Sequence, residues 1–148
     1  MFRRETPKNT VFTEKYVNLH MHRYFIELAY KGTNYHGWQE QNNATSVQEK
    51  LNHAISILTR QPAETMGCGR TDAGVHASQF YAHIDFTEPL ESTQEFSRRI
   101  NAILPSDIFI FDTHPVDNNA HARFDATSRS YSYYISKKKN IFQPDHVW

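Results

Sequence analysis

Tyr24-Phe25-Ile26-Glu27-Leu28-Ala29-Tyr30 sets Ile26, Leu28 and Tyr30 against Phe25, Glu27 and Ala29, the two-residue period of a strand with one buried face. A strand that hides one row of side chains needs an apolar layer over it. The next regular stretch supplies that layer. Ser46 can cap a helix, Glu49 completes a capping box, and Val47, Leu51, Ala54, Ile55 and Leu58 form one apolar stripe that Pro62 helps to end. Between strand and helix, Lys31-Gly32-Thr33-Asn34 reads as a turn and Tyr35-His36-Gly37-Trp38-Gln39 as a loop. Its Tyr35 and Trp38 either stack on bases or plug the edge of the sheet.

Further along, Ala63 to Gly67 is expected to form a second strand, and Phe80, Ala82 and Ile84 alternate with Tyr81, His83 and Asp85 in a third. A second helix, capped by Ser92 or Thr93, carries Phe96, Ile100, Ile103 and Leu104 on one face until Pro105 stops it. Ile108 to Thr113 makes a fourth strand. The order strand, helix, strand, strand, helix, strand predicts an α+β domain with the split βαβ arrangement of ferredoxin-like folds, which RNA-recognition motifs also use. Beyond it, Tyr131, Tyr133 and Ile135 alternate as another strand would, followed by the basic run Lys137-Lys138-Lys139. The expected organisation is a polar extension at 1–21, an α/β domain at 22–115, and at 116–148 a connector with the start of a further, truncated half.

The 148 residues suffice for one compact unit. Acidic and basic residues balance at 16 each, so any nucleic-acid affinity must come from local patches. The single cysteine, Cys68, cannot form an internal disulfide and fits a reducing compartment. No apolar run approaches the roughly 20 residues of a membrane span, so a cytoplasmic protein without membrane contact is expected. Nine histidines raise the question of a metal. None of them, including His20-Met21-His22, has zinc-site spacing backed by cysteines, and no metal is expected.

Gly69-Arg70-Thr71-Asp72-Ala73-Gly74-Val75-His76-Ala77 has a different character. Gly69 and Gly74 bracket an acid and a base and permit backbone angles and close approaches that other residues avoid, so the carboxylate can be presented on a strained or exposed loop. The plain alternative is a loop ion pair.

These nine residues resemble the signature of the TruA family of tRNA pseudouridine synthases. Tyr35-His36-Gly37-Trp38-Gln39 with Gln41, Ser46-Val47-Gln48-Glu49-Lys50-Leu51, and His121-Ala122-Arg123-Phe124 leading to Arg129-Ser130-Tyr131-Ser132-Tyr133 agree with it in order and spacing. The resemblance implies the N-terminal half of a pseudouridine synthase fold. It further implies a homodimeric enzyme in its complete form, acting on the anticodon arm of tRNA. That reaction breaks the bond from ribose C1′ to uracil N1, turns the base and joins C1′ to C5, with no oxidation and no cofactor. One ionised carboxylate can act as nucleophile or stabilise the sugar cation, and the resemblance assigns this to Asp72. Arg70 and Tyr131 are implied as its support, the arginine beside the carboxylate or in the gap left by a flipped uridine, the tyrosine against the uracil. Trp38, Gln39, Thr71, His76 and Arg123 are the further candidates for RNA contact. A non-catalytic RNA-binding module of RRM-like fold and a histidine-based metal hydrolase are the rival readings.

Overall fold

The computed structural model describes residues 21–138. Its elements run β1 (His22–Tyr30), a single 3-10 turn (Gly32–Asn34), α1 (Val47–Thr59), β2 (Met66–Gly67), β3 (Ala77–Phe86), α2 (Thr93–Ile103) and β4 (Ile108–Pro115). The sheet has the order β2-β3-β1-β4 with every neighbouring pair antiparallel. β1 and β2 therefore run parallel with β3 between them, and α1 joins them. α2 joins β3 and β4 in the same way around β1.

The alternation of β1 decides which face is covered. Tyr24, Ile26, Leu28 and Tyr30 are buried and pair across to Ile84, Ala82, Phe80 and Ala77 of β3. On the other side Ile26 faces Thr113 and Leu28 faces Ile110, so β4 carries one residue more than β1 between those pairs. That extra residue turns Phe111 and Asp112 both outward while Ile110 and Thr113 stay inward. Val47, Leu51, Ala54 and Ile55 of α1, with Phe96 and Ile100 of α2, complete one core.

The helix starts follow the sequence closely. The Ser46 hydroxyl accepts from the Glu49 amide at 3.2 Å and the Ser46 amide donates to the Glu49 carboxylate at 3.3 Å. Ser92, not Thr93, caps α2, accepting from the Glu95 amide at 3.2 Å. Ser46→Ala should cost about 1 kcal/mol of unfolding free energy in a urea titration. Arg60, in the left-handed conformation at φ 58°, ends α1 two residues before Pro62.

Three expectations are corrected. β2 spans two residues instead of five, because side chains of α1 take the backbone groups a ladder would use. Ser56 Oγ accepts from the Ala63 amide at 3.0 Å, Asn52 Oδ1 accepts from the Thr65 amide at 3.0 Å, and Gln48 Nε2 donates to the Thr65 carbonyl at 2.5 Å. Ile103 is 36% exposed; α2 ends on it, and the extended angles of Leu104 swing that residue into the core in its place. The strand expected around Tyr131, Tyr133 and Ile135 is not formed, and these side chains are 62%, 82% and 81% exposed. A strand needs a neighbour for its backbone groups, and no described segment lies beside this one in a ladder. The extension at residues 1–20 and Lys139 of the basic run lie outside the described residues.

Candidate active site

The loop between β2 and β3 is held from beneath by backbone. The Thr71 carbonyl accepts from the Trp38 amide at 3.2 Å, and the Gly74 amide donates to the Tyr35 carbonyl at 3.1 Å. His76 Nδ1 accepts from the Gly32 amide at 2.8 Å, which fixes that nitrogen as unprotonated. The Thr71 hydroxyl meets the Tyr30 hydroxyl at 2.9 Å. These contacts need the two chains to lie almost touching. A Cβ on Gly37 would stand 2.2 Å from the Thr71 oxygen, and one on Gly32 2.0 Å from the Val75 oxygen. Gly37 and Gly74 adopt φ of +86° and +80°, the region that glycine enters without steric cost. Gly69 does not share it; its lack of a side chain makes room for Arg129 instead.

Under the loop lies an aromatic floor. Trp38 sits 4.4 Å from Phe80 and 6.1 Å from Tyr30, centroid to centroid. At 1% exposure Trp38 has no ring face left for a base, so its RNA-stacking role gives way to packing, and the 5% exposure of Tyr35 does the same for that residue. Burial pushes the Tyr30 phenol up to about 12, against the lowering effect of its bond to Thr71. It stays a neutral hydroxyl.

On this floor the loop turns outward. Asp72 is exposed, its carbonyl closing a turn with the Val75 amide at 3.2 Å. Arg70 is exposed as well, and among the described residues no ion pair joins the two side chains. The expected pairing is corrected on physical grounds: two solvated charges gain little from holding one geometry. Both remain open to a ligand. Gln39 is half-buried and donates to Gln48 Oε1 at 2.9 Å, within the amide network that fixes Thr65. Thr71 and His76 are engaged in holding the loop, while Arg123 is exposed.

The segment after β4 crosses back over the open face of the sheet. Arg23 Nε and Nη2 each hold an Asp85 oxygen at 2.7 Å, and Nη1 donates to the Ala120 carbonyl at 2.8 Å. His83 Nδ1 accepts from the Ala122 amide at 3.1 Å, and the His83 ring meets His121 edge-on at 4.6 Å. Tyr131 lies within electrostatic reach of the Tyr30 hydroxyl. Thus Arg70, Thr71, Asp72 and His76 share one loop, and Tyr131 approaches the Tyr30 hydroxyl that supports it. Sequence reasoning passed over Tyr30, Arg23, His83 and Arg129 as site residues; the Arg-Ser-Tyr run contained the last of them, and nothing local marked the other three.

Burial, then the nearby Arg23 and His121, lower His83 to about 4, with Asp85 opposing. Between that value and an unfolded value near 6.5 the unfolded chain binds the extra proton, so stability rises with pH. The contribution is complete above about 6.5 and is lost as pH falls toward 4, amounting to about 3 kcal/mol at most. His83→Gln should flatten the dependence of Tm on pH between about 4.5 and 6.5; an unchanged slope would assign it to other groups. Asp85, held below its ordinary value by Arg23, acts only at lower pH.

This is a small α+β domain that locks a loop by backbone contact and leaves a carboxylate and a guanidinium exposed on it. The family model described as tRNA pseudouridine synthase matches residues 28–125, and the chain belongs to that family. Curated proteins named tRNA pseudouridine synthase A are similar to it. That of Azobacteroides pseudotrichonymphae is 52% identical over 86% of this chain and 51% of its own length. That of Bacteroides thetaiotaomicron is 52% identical over 82% and 45%, and that of Francisella tularensis subsp. mediasiatica 44% identical over 86% and 50%. The chain spans about half the length of the curated relatives it matches.

Proposed function

We propose that this chain is the part of a tRNA pseudouridine synthase that carries the nucleophile, isomerising uridine to pseudouridine in the anticodon stem-loop, with Asp72 as the reacting carboxylate. The observation that carries this reading is the exposure of Asp72 on a loop otherwise pinned at Thr71, Gly74 and His76. A group held this way is preorganised and still open to an extruded nucleotide. In the reaction the C1′–N1 bond breaks, a C1′–C5 bond forms, N1 gains a proton and the hydrogen at C5 leaves to solvent. Arg70 holds the displaced backbone or fills the vacancy in the stack. Tyr131 lies against the uracil, and its hydroxyl assists loss of the C5 hydrogen.

The strand order β2-β3-β1-β4 with two helices on one face supports a ferredoxin-like split βαβ reading of residues 22–115, the N-terminal half of a pseudouridine synthase fold. Residues 116–148 are then the connector and the start of a second half that supplies the other wall of the cleft. The half-length match to the relatives supports that reading. The complete enzyme is taken to be a cytoplasmic homodimer; no helix among the described residues is long and apolar enough to cross a membrane.

The RRM-like alternative fares worse on physical grounds. RRMs bind RNA on the open face of the sheet. Here Arg23 and His83 tie the 116–122 segment across that face, and on its remainder Glu27 stands opposite Asp112 beside the exposed Phe109 and Phe111, so that two carboxylates there repel a phosphate backbone. Release of tritium from C5-labelled uridine in tRNA, incubated with the full-length product of the gene, tests the reading. Release is expected, and binding without release would overturn it.

A further inference from the structure

Arg129 lies beside the loop and is left unused by the proposed chemistry. Its Nε and Nη2 donate to the Cys68 carbonyl at 3.1 and 2.5 Å, and Nη2 also reaches the Arg123 carbonyl at 3.1 Å. No carboxylate pairs with it among the described residues, so its charge is directed at the negative ends of two peptide dipoles. Cys68 is itself fixed, its amide donating to the Tyr81 carbonyl of β3 at 2.7 Å. It stands four residues before Asp72. The guanidinium lies over Gly69, where an added Cβ would come 3.0 Å from Nε. A side chain at Gly69 would crowd the fork.

The far end of the same segment is anchored independently, by the Ala122 amide on His83. Residues 123–128 therefore form a loop tied at both ends, and Tyr131 follows two positions after the second tie. We propose that Arg129 is a positioning residue that clamps the Tyr131 segment onto the entrance of the catalytic loop at Cys68, fixing where the tyrosine stands beside that loop before tRNA arrives. The proposal rests on the function argued above. Its physical content is that a planar fork with several donors fixes direction as well as distance, which a lysine cannot reproduce in full.

The test uses the full-length product of the gene under single-turnover conditions, with tRNA binding and thermal melting measured in parallel. Since misplacement by about 1 Å can cost about 100-fold in rate, Arg129→Ala should slow the chemical step by about 10- to 100-fold. The Kd for tRNA should stay within about threefold and Tm nearly unchanged, because the side chain is exposed. Arg129→Lys should recover part of the rate. Gly69→Ala, which crowds the guanidinium without removing it, should slow the parent enzyme and add nothing in the Arg129→Ala background. An unchanged rate, or multiplicative effects of the two substitutions, would overturn the clamp. So would a loss confined to Kd with a flatter salt dependence, which would mark Arg129 as a phosphate contact. Asp72→Asn run alongside separates the two levels: full turnover there rejects the underlying reaction, whereas its loss together with an indifferent Arg129 rejects only the clamp.

Discussion

Asp72→Asn is expected to reduce tritium release from tRNA by at least about 10³-fold, since the amide keeps the volume of the side chain and removes the charge that, in the proposed reaction, attacks the sugar or steadies its cation. Nothing structural should accompany the loss. The loop is positioned by main-chain atoms of Thr71 and Gly74 and by the His76 ring, and the Asp72 side chain is exposed with no ion-pair partner among the described residues. Substitutions of that kind shift stability by only about 0.5 kcal/mol. Binding of tRNA should persist in a gel-shift assay, because one fewer negative charge does not weaken attraction to phosphates. Turnover near the parent rate would remove Asp72 from the chemistry.

Gly37→Ala is expected to act in the opposite way, through the fold. A methyl group there would stand 2.2 Å from the Thr71 carbonyl oxygen and 3.3 Å from the Asp72 carbonyl carbon, at a backbone φ of +86°. The obstructing atom is backbone, so it cannot step aside as a flexible side chain could. A left-handed alanine costs about 1–2 kcal/mol by itself, and parting the two chains breaks the bond from the Trp38 amide to Thr71. Together these should destabilise the domain by about 3 kcal/mol or more, read as a lower urea midpoint, and displace Asp72, read as a lower rate in whatever fraction stays folded. A stable, fully active Gly37→Ala protein would show that the loop does not depend on this contact.

These two residues illustrate what is legible in a chain and what is not. Asp72 stands out because a carboxylate between glycines is a local chemical pattern. Gly37 does not, because its role depends on Thr71, which lies 34 positions away. Elements followed the same rule. The starts of α1 and α2 are set by serine hydroxyls reaching three residues along, and the side-chain pattern of β1 repeats within its own nine residues. β2 is shorter than its sequence suggests because the groups that displace its ladder, one donor on Gln48 and acceptors on Asn52 and Ser56, belong to another element. The Tyr131 segment was over-read because alternation describes a strand's faces without guaranteeing a neighbour to pair with.

The amino-acid sequence by itself therefore determined the helix caps, the inward rows of β1 and β3 and the α+β class, since each depends on contacts within a few positions of the chain. Only the tertiary structure decided that Trp38 is a floor and not a platform for bases, that Arg70 leaves Asp72 unpaired, and that Arg23, His83 and Arg129 tie the Tyr131 segment to the sheet. Those outcomes depend on which distant groups arrive at contact distance, and a side chain's solvation and partners exist only once the chain has closed around it.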